Sequence, residues 1–224
     1  MAETPAAGGL SPRQRVLIGG AVVTVIVLGL ALFALFSRLT APPAANPLDR
    51  AGEVRVIDPP RPVSDFTLTD QTGAPFSLSD LRGRAVLLFF GYTHCPDVCP
   101  LTLLEFRRVH DLLGTQAGDV AFVFVSVDGA RDTPEALAST FALRGVDDFA
   151  IGLTGDEAAL RRIGADYGLY FERQADTGSQ ADYLVDHTAN SFLVDREGRL
   201  TTIFTFGTEP EQIAARIRDL WAAS

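Results

Sequence analysis

The sequence predicts a layered α/β domain with a mixed sheet flanked by helices, preceded by one apolar N-terminal segment. Three observations carry that reading. Two continuous apolar runs, "AVLLFFGY" (Ala85–Tyr92) and "VAFVFVSVD" (Val120–Asp128), have the character of strands buried on both faces. Between them Leu101, Leu104, Val109 and Leu112 recur at helical spacing, as a crossover helix requires. Strand-like and helix-like stretches alternate along the rest of the chain, the pattern of sheet and helix layers around one core.

Taken in order, "VSDFTLTDQTGAPFSLSDL" (Val63–Leu81) alternates apolar and polar residues around Thr72-Gly73, a hairpin pattern. The buried strand Ala85–Tyr92, the crossover helix and the strand Val120–Asp128 follow. Helix starts are then expected where a cap residue stands three before a Glu: Asp132 with Glu135, Thr154 with Glu157, and Thr208 with Glu211. Pro134 and Pro210 fall in first turns, where a missing N–H costs nothing. "NSFLVDREGRLTTIFTF" (Asn190–Phe206) gives two strands joined at Arg196-Glu197-Gly198, and a helix closes the chain. No internal repeat is visible.

The N-terminal segment Val16–Phe36 holds 21 residues without a charge, enough to cross a hydrocarbon core of ~30 Å. Arg13 and Arg15 precede it, which places residues 1–15 in the cytoplasm and sends the rest across. A cleavable signal peptide is the rival reading, with small residues available in "TAPPAANP" (Thr40–Pro47), but its apolar region would run only ~7–15 residues. Residues 37–62, rich in Pro and Ala, read as a tether, and 63–224 as the domain outside the cytoplasm.

Composition narrows function. The 224 residues carry a net charge of −9, and all 19 basic residues are Arg. No basic patch suggests nucleic acid. The acidic balance suits solubility, or contact with cations. Met1 is the only methionine, which excludes a methionine-rich metal carrier.

The two cysteines, Cys95 and Cys99, follow a buried strand and open a helix, with three residues between them. At a helix N-terminus the unpaired N–H groups favour thiolate. Positions i and i+4 share a helix face, so both sulfurs can reach one ion or each other. A purely structural disulfide would close a very short loop, where such a bond stabilises least. Metal binding and thiol–disulfide exchange remain. Two thiolates favour a soft ion, Cu(I) first and Zn second. A third ligand must come from His94, His110 or His187. His94 reads as a loop residue pointing away, His110 as part of an exposed helix face, and His187 lies in a polar stretch before an apolar strand.

"FGYTHCPDVCP" (Phe90–Pro100), "VSVDGARDTPE" (Val125–Glu135) and "VDHTANSFLVDREG" (Val185–Gly198) together resemble the Sco/SenC family, in family order and from about Val63 to the C-terminus. The resemblance implies a thioredoxin-like fold behind a membrane anchor. It implies Cys95, Cys99 and His187 as copper ligands, for Cu(I) and with the imidazole's help for Cu(II), and a tuning role for Asp97. The implied function is a copper chaperone for the binuclear copper centre of cytochrome c oxidase subunit II. Another periplasmic copper carrier and the inner membrane are further expected partners. The implied address is a bacterial inner membrane, single-pass, with the C-terminal domain in the periplasm. A mitochondrial inner membrane is the alternative, against which the Arg-poor leader argues. Gly129 stands where the family commonly has Pro.

Three rivals stay open: a dedicated thiol–disulfide reductase using Cys95 and Cys99, a copper or redox sensor, and a peroxiredoxin-like peroxidase, whose pattern Thr93 echoes. Oxidoreductases of this fold place a proline opposite the cysteines. No proline lies between Pro134 and Pro210, and His187 falls near that place. Asp128 and Asp132 read as turn and cap residues, "ERQADTGS" and "SQADYLVD" (together Glu172–Asp186) as a polar insertion shaping a docking face, and Trp221 as packing for the last helix.

Overall fold

The computed structural model describes residues 13, 26–33, 51–174 and 183–222. The chain divides into two compact units, Met1–Pro47 and Leu48–Ser224. In the first, 26–33 is helical and exposed. Among the described residues no helix is long and apolar enough to cross a membrane. Most of the expected span at 16–36 lies outside the described residues, as do residues 1–15 apart from Arg13, the tether from 37 to 50, and the centre of the polar insertion.

The second unit is built on an eight-stranded sheet. Its strands are β1 (Val54–Pro62), β2 (Thr67–Asp70), β3 (Pro75–Ser77), β4 (Ala85–Gly91), β5 (Val120–Ser126), β6 (Ala150–Thr154), β9 (Ser191–Val194) and β10 (Arg199–Phe204). A separate two-stranded hairpin joins β7 (Phe171–Arg173) to β8 (Val185–His187). The sheet order is β1-β10-β9-β4-β5-β6-β2-β3, with β4, β5 and β6 parallel and the other pairs antiparallel. The helices are α1 (Val98–Leu113), α2 (Pro134–Arg144), α3 (Glu157–Ala165) and α4 (Pro210–Ala222).

The two apolar runs form the central pair, and every residue of β4 and β5 is buried. On one face Phe106 of α1 meets Phe122, and Phe141 of α2 meets Phe124, both edge to face. On the other, Phe90 packs against Tyr167 and Phe192. Aromatic pairs of this geometry add about 0.5–1.5 kcal/mol each beyond the area they bury. Trp221 packs, partly buried, against the same core.

Several local expectations change. Val54–Pro62, expected as tether, pairs antiparallel with β10 as an edge strand. Along α1 the buried side chains are Cys99, Thr102, Leu103, Phe106, Val109 and Leu113, while Leu101 and Leu104 are exposed. The helix is turned so that its sulfur and its aromatic ring, not those two leucines, face the sheet. The caps are Thr133 for α2 and Asp156 for α3, each accepting from a backbone N–H three residues on. Thr208 instead donates its hydroxyl to the Thr205 carbonyl. The hairpin at Thr72-Gly73 forms as expected, with Gly73 at φ 87°, a left-handed turn position suited to glycine.

Candidate metal centre

The parallel strand β4 ends at Gly91 between β5, reached through α1, and β9, which returns antiparallel. Such a change of direction at the carboxyl end of a strand opens a crevice suited to a ligand. Both cysteines sit there, buried and free. Gly91 makes room for them: a Cβ on it would stand 2.9 Å from Cys99 Sγ and 2.6 Å from the Phe89 ring.

Cys95 occupies the place of a helix cap. Asp97, the N-cap of α1, makes no side-chain cap bond, and the Cys99 N–H donates to Cys95 Sγ at 3.5 Å. The hydrogen bond from the Cys99 thiol, with further backbone N–H groups of Cys99, Asp97 and Val98, outweighs desolvation and lowers the Cys95 thiol to about 5. Cys99 moves the opposite way, held up first by donating to Cys95 and then by burial. The pair therefore holds one proton at neutral pH, on Cys99. Asp97 itself is exposed, and what it offers the site is its backbone N–H.

His187 arrives from the end of β8. Its Nδ1–H donates to the Val185 carbonyl at 3.2 Å, so Nε2 is left with its lone pair and lies 3.6 Å from Cys99 Sγ. Tyr92 and Phe89 stand in T-shaped contact with the imidazole at centroid distances of 5.6 and 6.1 Å. Burial holds this imidazole below its ordinary value, so it is neutral at pH 7. The Val185 N–H donates to the Tyr92 hydroxyl at 3.2 Å and ties the end of β4 to β8 directly.

The other histidines are elsewhere. His94 is exposed, with Nδ1 at 3.0 Å from Thr93 Oγ1. His110, expected on an exposed face, is half-buried and stacked on Phe149 at 4.2 Å. Thr93 gives its hydroxyl to Asp132 rather than to Cys95.

Cys99 thus meets both Cys95 and His187. Among the described residues no three His, Cys, Asp or Glu side chains stand as a ready-made ion cage. The donor chemistry nevertheless fits a soft ion: two sulfurs, one already thiolate, and an imidazole whose free nitrogen faces them.

Sequence reasoning misses the two carboxylates behind this arrangement. Asp128 and Asp132, expected to turn and cap, are fully buried. Asp132 accepts from the Thr93 N–H, the Thr93 hydroxyl and the Ser126 hydroxyl at 2.9, 2.6 and 2.6 Å. Asp128 accepts from the Tyr183 hydroxyl and from Arg131 Nε, both at 2.5 Å. The only signal for them in the sequence is a pair of aspartates near the end of a strand buried on both faces.

The profile of the SCO1/SenC family matches residues 55–222. An SCO2-like protein of Rickettsia felis is 30% identical over 193 residues, 86% of this chain and 92% of its own. Among solved structures, Bradyrhizobium japonicum ScoI with copper bound is 37% identical with a TM-score of 0.64, covering 71% of this chain and 99% of its own. The apo Sco1 protein of Thermus thermophilus is 36% identical with a TM-score of 0.65, covering 74% and 94%.

Proposed function

This chain belongs to the SCO1/SenC family, and from that premise we propose that it is a membrane-anchored copper chaperone holding its cargo on Cys95, Cys99 and His187. The observation that carries the reading is the unprotonated Nε2 of His187 set 3.6 Å from Cys99 Sγ. Copper bound to a similar solved relative supports it. The recipient is the binuclear copper site on cytochrome c oxidase subunit II, another periplasmic copper carrier is the source, and the domain faces the periplasm from an anchor at residues 16–36.

The residues divide the work. Cys95 is poised as thiolate, so Cu(I) uptake displaces a single proton, from Cys99. Two thiolates and one imidazole satisfy Cu(I), and the imidazole adds affinity for Cu(II). A three-ligand site leaves one direction open, through which an incoming thiolate of the recipient takes the ion. Oxidation of Cys95 and Cys99 to a disulfide removes both sulfur ligands and would stop binding.

The test is an anaerobic Cu(I) titration of the full chain against a competing chelator, beside Cys95→Ser, Cys99→Ser and His187→Ala, followed by transfer to the copper-free subunit II domain. One copper per chain, weakened by each substitution and passed on, is the expected result. Weak binding in the unsubstituted chain would overturn the reading.

A second reading, a dedicated reductase of the recipient's cysteines, is favoured by one observation: the Cys95 thiol is lowered to about 5 beside a protonated partner. The Cys95 thiolate would attack the partner's disulfide, expelling one partner thiolate. Cys99, losing its proton, would then displace the second. The partner leaves as dithiol, taking one proton from Cys99 and one from solvent, and a Cys95–Cys99 disulfide remains. Reduction of an oxidised subunit II domain, with stoichiometric loss of free thiols here and no need of His187, would identify it.

A further inference from the structure

We propose that the loop between β5 and α2, residues 127–133, is a clamp that sets the spacing between the cysteine turn and the histidine hairpin, with Thr93 and Tyr183 as its positioning residues. The inference rests on the copper reading above and assigns the residues that hold its ligands in register.

The cysteine turn is gripped at Thr93, two residues before Cys95. Both the Thr93 N–H and its hydroxyl donate to the carboxylate of Asp132, at 2.9 and 2.6 Å. That carboxylate has no exposure and is further fixed by the hydroxyl of Ser126, the last residue of β5. A buried carboxylate with three donors is costly to displace, since any donor withdrawn leaves charge unsolvated. The turn leading to Cys95 is therefore fastened to the end of the neighbouring strand.

The histidine hairpin is gripped from the same loop four residues earlier. Tyr183, just before β8, donates its hydroxyl to Asp128 at 2.5 Å. Its ring lies under the Arg131 guanidinium at 3.6 Å, and Arg131 in turn bonds Asp128. Arg173 of β7 also comes within 3.8 Å of Asp128. One short loop thus holds the arm carrying Cys95 with one aspartate and the arm carrying His187 with the other. The loop cannot slide easily, because Gly129 lies against the Gly155 carbonyl, where even a Cβ would stand 1.9 Å from the oxygen. Partners that orient a ligand without touching the ion commonly change affinity by ~10–100-fold when removed.

The experiment compares the full chain with Thr93→Val, Thr93→Ser and Tyr183→Phe. Each is read by Cu(I) competition, by the Cu(II) electron paramagnetic resonance and sulfur-to-copper absorption of the loaded chain, and by the NMR signals of the copper-free His187 ring. Thr93→Val and Tyr183→Phe are expected to weaken copper about tenfold and to shift both the Cu(II) signature and the His187 ring signals. Thr93→Ser, which keeps the hydroxyl, restores them. Unchanged ring signals and an unchanged Cu(II) signature in both hydroxyl-deleted variants would overturn the clamp. If the unsubstituted chain binds no copper, the copper reading fails by itself, and the ring signals still decide the clamp. Should Thr93→Val unfold the domain, Tyr183→Phe, at the edge of the network, decides the question alone.

Discussion

Cys99 and His187 meet at 3.6 Å, yet they stand on very different pieces of chain. Cys99 opens a 16-residue helix behind a seven-residue strand with every residue buried. His187 ends a three-residue strand paired, among the described residues, only with another three-residue strand, and most of their side chains are exposed or half-buried. A hairpin that short is marginal alone. Its place comes from side-chain ties: Tyr92 to Val185 and Tyr183 to Asp128. One half of the site is part of the core, and the other is an arm fastened to it. The difference teaches where each half of the site draws its support: the cysteines from the core around β4 and α1, the histidine from a few side-chain ties.

The largest expected effect tests that division. Cys99→Ser should lower Cu(I) affinity by about a thousandfold or more, and His187→Ala by only about ten- to a hundredfold, since Cu(I) prefers thiolate. Chelator competition measures both. Equal losses would erase the distinction between core and arm.

Next in size is a pH effect within the core half. Glu105 of α1 is pushed up to about 7 by burial, against a lowering hydrogen bond from Ser191 at the start of β9. A carboxyl whose folded pKa lies above its unfolded value contributes stability fully below about 4.5, lost as pH rises through about 7. Glu105→Gln should therefore gain at most about 3 kcal/mol over the original chain at pH 8 and far less at pH 4. Thermal melts of the copper-free chain at the two pH values check it. A gain of equal size at both would mean that Glu105 does not titrate in this range.

Gly91→Ala should cost about 1–3 kcal/mol, because the added carbon presses on Cys99 Sγ and two phenylalanine rings. Denaturant unfolding gives the number, and a neutral result would show the sulfur's seat to be soft. Smallest is Arg108→Ala, which breaks an exposed ion pair with Glu211 joining α1 to α4. No more than about 1 kcal/mol should be lost. A larger loss would mean that the cysteine helix depends on its surface rather than its core.

The same two halves differ in how legible they are. The cysteine half is local in sequence: an apolar run, a turn, two sulfurs four apart and a helix. Periodicity and helix-end electrostatics reach that far. His187 lies 88 residues from Cys99, and the return of β9 beside β4, with the Tyr92 and Tyr183 ties, brings it back. Residue pattern leaves three histidines open, and the family likeness singles out the one that lies against Cys99 Sγ. Asp132 reads as a cap because an Asp three before a Glu is a local pattern. Its burial under Thr93 and Ser126 is tertiary, and the cap of α2 is the next residue, Thr133. Leu101 and Leu104 mislead for a related reason, since helical spacing gives a face but not which way it points.

The close approach of Gly129 to Gly155 bears on grafting. Any side chain at position 129 would bring a Cβ into the Gly155 carbonyl, and a Cβ at 155 would in turn strike Leu68 of β2. The loop at 129 and the backbone at 155 are therefore matched to each other in this chain. A chimera that imports 125–135 with a side chain at 129, and leaves the backbone around 155 as it is, inherits a collision.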